Sequence, residues 1–276
     1  MRNILILGAG AGGTIVANML RKELSEAQWC VTIIDRDERH YYQPGYLFIP
    51  FGVYSEQDVI KPKKEFIPRG VDFVVDEIVK IDPRERSVET RLGRYDYDWL
   101  IIATGCDIQP SEIDGMLEGW RTDIFDFYTL EGAKALRQKL KYFEGGNRGE
   151  PRRPAHPGGG GVERKGRGDL HRTRQTIGYD LLVAIPPNMG DHVLIDSEVS
   201  DPIGFVATNN ATLQAEKFER VYVIGDTTNV PTSCCGATRA TRCPCHPSPA
   251  VCLTIQDRVH LRQSQNKVSP FSISRV

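Results

Sequence analysis

Short apolar runs bounded by glycine, proline and acidic residues recur along the chain and predict the strands of a buried sheet. The first run is Asn3–Leu7, and a second, Cys30–Asp35, follows after a helical stretch. Between them, apolar residues recur at the three- and four-residue spacing of an amphipathic helix, at Ile15, Met19, Leu20 and Leu24. The chain therefore opens with a strand, a helix and a second strand.

The same pattern returns later in the chain. Further strands are predicted at 71–75, 95–105, 179–187 and 218–226, an antiparallel pair at 76–83 and 87–90, and a helix at 130–143. The stretch His40–Gly52 is aromatic but is interrupted by proline and glycine, which excludes a long helix. It is either a hydrophobic loop packed on the sheet or a wall of a cofactor pocket. Alternating strands and helices predict an α/β fold.

Glycines mark the corner between the first strand and the helix. Gly8, Gly10 and Gly13 satisfy the spacing G-x-G-x-x-G. In this motif the first glycine allows a tight turn, the second lets a pyrophosphate approach the backbone, and the third lets the helix pack closely on the strand. Asp35 ends the second strand, where a carboxylate can accept hydrogen bonds from an adenosine ribose. An acid at this position favours FAD or NAD over NADP, so the stretch predicts a Rossmann-type dinucleotide site.

Composition narrows the class of protein. The 276 residues carry a formal net charge of -1, which gives no support for a nucleic-acid partner. No apolar run approaches the roughly 20 residues of a membrane span. The chain opens directly on its first strand, from which we expect no signal peptide and a cytoplasmic location. The seven cysteines then indicate redox, metal-binding or incidental thiols rather than structural disulfides.

Two segments break the pattern. Residues 147–176 contain seven glycines, three prolines and eight basic residues against three acids, with Val162 and Leu170 as the large apolar residues. They predict a flexible basic linker; a Gly/Arg-rich nucleic-acid tail is the alternative, but no aromatic residues are interleaved. Residues 234–276 are rich in cysteine and proline and lack a clear period. Their cysteine spacing does not match a structural zinc site, so we predict no metal.

The motifs together resemble a family. The glycine fingerprint, the Tyr42-Gln43-Pro44-Gly45 box, Ala103-Thr104-Gly105 and the strand ending in Gly225-Asp226 resemble FAD-dependent flavoproteins of the pyridine nucleotide-disulfide oxidoreductase superfamily. The resemblance is strongest to sulfide:quinone oxidoreductases. It covers roughly 1–146 and 177–233.

The resemblance implies FAD bound along the edge of the sheet. Gly8, Gly10 and Gly13 would hold the pyrophosphate, and Asp35 the ribose. Further expected cofactor contacts are Val79 near the adenine, Thr104 and Gly105 along the cofactor, Asp226 at the ribityl chain, and Tyr42, Gln43 and Pro44 near the isoalloxazine. The family oxidises sulfide through a cysteine and passes electrons through FAD to a membrane quinone. Cys106 is the candidate redox cysteine, with an incidental thiol as the alternative.

The chain departs from the family pattern at two places. It lacks most of a second dinucleotide-like domain and the apolar C-terminal helices that contact membrane and quinone. We therefore expect an FAD-binding Rossmann domain with an incomplete second domain, in a truncated or frame-disrupted gene product. The expected segments are an FAD domain at 1–115, the start of the second domain at 116–146, the linker at 147–176, the remaining second-domain strand and the return to the FAD domain at 177–233, and the tail at 234–276.

The implied activity is oxidation of sulfide or a related sulfur species with quinone as acceptor. The implied location is cytoplasmic, with peripheral contact at the inner face of the cell membrane as the second possibility. The alternatives are an NADH:quinone-type flavoprotein dehydrogenase and an inactive flavin-binding remnant. A second glycine fingerprint in a mid-chain strand–helix–strand unit would favour the dehydrogenase, and Gly158–Gly161 follows no strand pattern.

Overall fold

The computed structural model describes residues 1–143 and 179–230. The predicted linker at 147–176, the tail at 234–276 and the cysteines from Cys234 to Cys252 lie outside the described residues. Within the described ranges no helix is both long and apolar enough to cross a bilayer.

Short strands dominate the described chain. In chain order they are β1 (Arg2–Leu7), β2 (Trp29–Asp35), β3 (Arg39–Tyr41), β4 (Ile60–Pro62), β5 (Asp72–Val75), β6 (Ile78–Asp82), β7 (Ser87–Thr90), β8 (Arg94–Asp96), β9 (Trp99–Ile102), β10 (Cys106–Ile108), β11 (Ile124–Phe125), β12 (Leu182–Val183), β13 (Asn188–Gly190) and β14 (Val221–Val223). The α-helices are α1 (Ala11–Glu23), α2 (Glu56–Val59), α3 (Met116–Gly119), α4 (Leu130–Lys141) and α5 (His192–Asp196). Short 3₁₀ helices lie at Gln43–Phe48, Lys63–Glu65, Pro110–Glu112 and Gly225–Thr227.

A five-stranded parallel sheet confirms the predicted α/β class. Its strand order is β14-β9-β1-β2-β5. Strand β1 is central, with Ile4 opposite Val31 of β2 on one side and opposite Trp99 of β9 on the other. The predicted antiparallel pair is also present, because β6 pairs with β7 and β7 with β8.

Side chains of β1 alternate between two hydrophobic clusters, one on each face of the sheet. Ile4 and Ile6 belong to the cluster that contains Val16 and Leu20 of α1. Leu5 and Leu7 belong to the other cluster, which includes residues of β6 and β7. A strand covered on both faces has to be apolar at every position, which explains the unbroken run read from the sequence.

The buried face of α1 agrees in part with the expected one, because Leu20 and Leu24 are buried as expected. Its buried residues are Gly13, Thr14, Val16, Ala17 and Leu20. Ile15 and Met19, which were expected on that face, are only half-buried. The helix lies close to the sheet at Gly13 and Ala17, and Val16 and Leu20 complete the buried face, so Ile15 and Met19 lie on its flanks.

The described residues form two compact units. The first comprises Met1–His40, Pro62–Cys106 and the described part of the chain from Gly190, and it contains the parallel sheet. The second comprises Tyr41–Lys61 and the described part of Asp107–Met189. The sequence-based segment boundaries remain predictions.

The second unit is built around α4. Tyr46, Ile49, Val59, Leu130 and Ala133 form its buried cluster. The helix is anchored at its start by the fully buried Asp126, whose Oδ1 accepts hydrogen bonds from the backbone and hydroxyl of Thr129, at 2.6 and 2.9 Å. Thr129 in turn caps α4 by accepting from the Gly132 N–H.

Candidate functional site

The carboxyl ends of β1, β2, β9 and β14 meet at one edge of the parallel sheet, since all four strands run in the same direction. Open α/β sheets bind their ligands at this edge. The residues at or just after these strand ends are the glycine corner at 8–10, Asp35, Thr104 with Gly105, and Gly225 with Asp226. The structure thus brings together most of the residues predicted from separate stretches of sequence.

Two of the three fingerprint glycines are required by the fold itself. Gly8 has φ +94°, and a Cβ there would lie 2.4 Å from the carbonyl oxygen of Ala103. A Cβ on Gly13 would lie 1.9 Å from the carbonyl oxygen of Gly8. Any side chain at either position would push β1, β9 and α1 apart.

Gly10 is different, because a Cβ there would have no atom within 4 Å. It is the N-cap of α1, and no side chain caps the helix. The first turn contains no acidic residue. The open space therefore lies at a helix N-terminus, where the first backbone N–H groups have no partner within the helix and the helix dipole is positive, an arrangement that suits a diphosphate.

Asp35 is fastened to the glycine corner. Its Oδ2 accepts a hydrogen bond from the Ala9 N–H at 2.6 Å, and its Oδ1 accepts one from the Asp37 N–H at 3.0 Å. The ammonium of Lys63 lies 2.6 Å from Oδ1, and both side chains are largely buried. Sequence reasoning predicted the acid but missed the lysine.

His40 lies near this ion pair. Its ring packs against Phe66 with 4.6 Å between centroids, and its Nδ1 has no hydrogen-bond partner among the described residues. Burial, and secondarily the positive charge of Lys63, lower the pKa of His40 below its ordinary value of 6.5, while Asp35 acts in the opposite direction.

A threonine that the sequence analysis did not single out joins the ends of β9 and β14. Thr227 is fully buried, and its Oγ1 accepts a hydrogen bond from the Gly105 N–H at 2.7 Å. The same hydroxyl lies 3.2 Å from the Gly105 carbonyl, to which it donates, and 3.3 Å from the Thr104 hydroxyl. Gly105 and Gly225 both have positive φ, at +78° and +77°. Thr227 thus fixes the two turns that carry Gly105 and Asp226.

Val79 lies at an irregularity of the β6–β7 pair. The register shifts between Ile78 and Lys80, so Val79 is passed over in the pairing, and its side chain is 53% exposed. Bulges of this kind leave backbone groups outside the ladder and are common beside binding sites. The predicted adenine contact therefore lies at an exposed irregularity of the sheet.

The Tyr42-Gln43-Pro44 box belongs to the second unit. The Tyr42 N–H donates to the Val59 carbonyl at 2.8 Å, and Gln43 Nε2 donates to the Tyr128 carbonyl at 3.1 Å. Pro44 lies at the start of the 3₁₀ helix Gln43–Phe48. The segment is therefore ordered and not a long helix, as predicted. Its proposed place beside a flavin ring remains a prediction.

Cys106 follows Gly105 directly and begins β10, where its thiol is half-buried. The other described cysteine, Cys30, lies in β2 with its sulfur 3.7 Å from Asp72 Oδ2. In residues 1–143 and 179–230, no three His, Cys, Asp or Glu side chains are grouped to hold a metal ion.

The residues of the sheet edge fit a dinucleotide. The open position at Gly10 accommodates a pyrophosphate, the uncapped helix supplies N–H donors, and Asp35 supplies an acceptor for ribose hydroxyls. Together with the parallel sheet they define a Rossmann-type nucleotide-binding domain.

Comparison with known proteins gives the family. The family model described as "Pyridine nucleotide-disulphide oxidoreductase" matches residues 2–160, and the chain belongs to this family. Similar proteins include the mitochondrial sulfide:quinone oxidoreductases of Dictyostelium discoideum, 26% identical over 87% of this chain, and of Mus musculus, 24% identical over 83%. The aligned regions span 68% and 66% of those two proteins.

A type II NADH:quinone oxidoreductase of Staphylococcus epidermidis is 36% identical, but over 42% of this chain and 29% of its own length. Among solved structures, the sulfide:quinone oxidoreductase of Aquifex aeolicus superposes with a TM-score of 0.71 at 17% identity. That match covers 95% of this chain and 78% of the Aquifex chain. At this identity the superposition supports the fold.

Proposed function

We propose that the protein is a flavoprotein oxidoreductase that binds FAD at the carboxyl edge of its parallel sheet and transfers electrons from a reduced sulfur species to a quinone. The observation that carries the proposal is the glycine corner. It leaves open space at Gly10 in front of the uncapped N-terminus of α1. Membership of the pyridine nucleotide-disulphide oxidoreductase family supports a flavin as the group that fills this space.

The proposed FAD contacts lie mainly at the carboxyl ends of β1, β2, β9 and β14. The amides of the glycine corner would bind the diphosphate, and Asp35 at the end of β2 would accept from the adenosine ribose. Val79, at the irregularity between β6 and β7, would contact the adenine. Thr104, Gly105 and Asp226, at the ends of β9 and β14, would lie along the rest of the cofactor, and Tyr42, Gln43 and Pro44 near its ring.

The flavin, when bound, supplies the capacity to take up and release two electrons. The chain itself binds and orients. The positive end of the α1 dipole stabilises the negative diphosphate. Thr227 holds the turn at Gly105 against the turn at Gly225 and so keeps Asp226 at the sheet edge, where its carboxylate would accept from a ribityl hydroxyl.

The proposed electron donor is sulfide or a related sulfur species. Two sulfide:quinone oxidoreductases align with more than four-fifths of this chain, whereas the NADH:quinone enzyme of S. epidermidis aligns with 42%. That shorter match at higher identity keeps an NADH:quinone-type dehydrogenase as the second candidate. Both candidates deliver electrons to a quinone, which is the shared part of the proposal.

Cys106 is the proposed sulfur-binding cysteine among the described residues. It follows the Gly105 turn at the proposed cofactor edge, and its thiol is half-buried. Replacing Cys106 with serine should abolish flavin reduction by sulfide while flavin content is kept. Cys30→Ser is the matched control, because Cys30 is a half-buried thiol within β2. Equal sulfide reduction by both variants would remove Cys106 from the mechanism.

The proposal is tested first by the absorbance spectrum of purified, desalted protein. Stoichiometric oxidised flavin is expected. Anaerobic titration then separates the donors: bleaching by sulfide supports the sulfur reaction, and bleaching by NADH alone supports the dehydrogenase. Flavin that neither donor bleaches indicates an inactive flavin-binding remnant, and protein without flavin refutes the cofactor assignment.

A quinone acceptor places the working protein at a membrane. We therefore include peripheral contact with the inner face of the cell membrane, reached from the cytoplasm, as part of the proposal. Co-sedimentation with vesicles that contain a quinone, compared with quinone-free vesicles, measures this contact directly. Protein that stays in the supernatant with both would argue for a free cytoplasmic enzyme.

A further inference from the structure

Lys63 is buried at the sheet edge although lysine is rarely buried. The residue is 5% exposed, whereas its neighbours Lys61 and Lys64 are exposed. A buried ammonium loses its hydration and is tolerated when it is paired and hydrogen-bonded. Three of the four residues 61–64 are lysines, and the burial of this one alone therefore reflects specific partners.

Those partners are both at the end of β2. The Lys63 ammonium lies 2.6 Å from Asp35 Oδ1 and donates to the Asp37 carbonyl at 2.8 Å. The lysine backbone is fixed as well, because its N–H donates to the Glu38 carbonyl at 2.8 Å. Lys63 is therefore held from its main chain to its charged end.

The two carboxylate oxygens of Asp35 have different partners. A carboxylate offers about four acceptor positions, two on each oxygen. The Asp37 N–H and the Lys63 ammonium occupy Oδ1, and the Ala9 N–H occupies one position on Oδ2. Among the contacts made by the described residues, the acceptor position that is left lies on Oδ2, the oxygen that is hydrogen-bonded to the glycine corner.

We propose that Lys63 is a positioning residue for recognition of the cofactor's adenosine ribose, acting through Asp35. By holding Oδ1, the ammonium fixes the rotation of the carboxylate and presents Oδ2 to a ribose hydroxyl. It also balances the negative charge of Asp35, whose side chain is 14% exposed. This inference rests on the proposed binding of FAD.

The test compares affinities of the refolded apoprotein for FAD and for FAD analogues that lack the 2′- or the 3′-hydroxyl of the adenosine ribose. The unaltered protein should prefer FAD over the more affected analogue by roughly tenfold or more, the effect of one hydrogen bond to a charged group. Lys63→Met should weaken FAD binding and reduce this preference to about twofold or less. Lys64→Met, at the exposed neighbouring lysine, should keep both values.

Two further variants separate positioning from folding. Asp35→Asn combined with Lys63→Met should show the same preference as Asp35→Asn alone, because the lysine acts through the acid. Lys63→Gln, which keeps an N–H donor without the charge, should retain an intermediate preference, and it replaces Lys63→Met if that variant does not fold.

The outcomes distinguish failure of the Lys63 inference from failure of the proposed FAD binding. If the unaltered protein binds FAD but the Lys63 variants keep its full ribose preference while only their thermal stability falls, the lysine is structural and the inference is overturned. If the unaltered protein does not bind FAD at all, the proposed function is overturned together with the inference. Loss of preference in Lys63→Met with retained fold supports both.

Discussion

Gly10 and Gly13 offer a direct test of the site, because the structure assigns them opposite roles. Alanine at Gly13 would bring its methyl group to 1.9 Å from the Gly8 carbonyl oxygen. Alanine at Gly10 would meet no atom within 4 Å. We therefore expect Gly13→Ala to damage the fold, and Gly10→Ala to damage flavin binding in a protein that remains folded.

The magnitudes follow from these distances. To reach the 3.4 Å at which ordinary contact begins, α1 would have to move by about 1.5 Å from the corner. Overpacking of this kind costs about 3 kcal/mol at the upper end of its usual range. The better helix propensity of alanine returns about 1 kcal/mol, so Gly13→Ala should lose about 2 kcal/mol.

Gly10→Ala should change stability little. Its φ of -74° is accessible to alanine. Loss of a favourable N-cap residue costs about 0.5–1 kcal/mol, and the less flexible unfolded chain returns about 0.4–1 kcal/mol. Flavin affinity should nevertheless fall by about a hundredfold, since the methyl group occupies the space in front of the α1 amides.

The assay measures thermal unfolding and flavin content on the same preparations. Gly93→Ala is the control, because a Cβ at this exposed position in the β7–β8 connection also has no atom within 4 Å. Full flavin content in Gly10→Ala would refute the placement of the diphosphate at the corner. An unchanged melting temperature in Gly13→Ala would refute the close packing of α1 on β1.

Two further predictions concern other residues of the sheet edge. Thr227→Val removes the hydroxyl that is hydrogen-bonded to both backbone groups of Gly105, so it should lower the free energy of unfolding by about 1–3 kcal/mol and weaken flavin retention. Thr227→Ser keeps a hydroxyl and should retain both properties. Equal flavin retention in the two variants would contradict the role of the hydroxyl. The pKa of His40 is lowered in the folded protein, so between that pKa and the ordinary value of 6.5 the unfolded chain binds more protons than the folded one. The contribution of His40 to the free energy of unfolding should therefore be complete above pH 6.5 and be lost as the pH drops towards the folded pKa. Denaturant titrations at several pH values should show this loss flattened in His40→Phe, and the same slope in both proteins would exclude His40 as its source.

The glycine corner could be predicted from sequence because its requirements are local. Gly8 needs a positive φ, and Gly13 needs a contact with the carbonyl oxygen of Gly8, five residues away. Strand, turn and helix follow each other without interruption. The same holds for the parallel sheet, whose continuous apolar runs reflect burial on both faces of each strand.

Contacts between distant parts of the chain could not be predicted in this way. Thr227 and Gly105 are 122 residues apart, and they meet because β14 and β9 are neighbours in the sheet. Lys63 lies in a stretch with two other lysines, and nothing in the local sequence distinguishes the buried one. Strand order is set by the tertiary structure, so the partners of residues at strand ends are known only from the fold.

The face of α1 shows a different reason for a wrong prediction. The predicted face comprised Ile15, Met19, Leu20 and Leu24; the two leucines are buried, but Gly13 and Ala17 take the places at the sheet that Ile15 and Met19 were expected to fill. A helix that packs closely on a strand needs small residues where the backbones approach. Hydrophobicity alone therefore misplaces the buried face by part of a turn whenever the contact is made by glycine and alanine.

The strand order also separates the two ends of the candidate site. Asp35 and its partner Lys63 adjoin the end of β2, on one side of the central β1. Thr227 joins the ends of β9 and β14 on the other side, where β14 is the last strand of the five and its outer side pairs with the short stretch 213–215. The glycine corner lies between them and is secured on both sides, by the Ala9–Asp35 hydrogen bond and by the close contact of Gly8 with Ala103. A weakened β14 would therefore loosen the Asp226 end of the edge first, while the corner and the Asp35–Lys63 pair keep their contacts to β1 and β2.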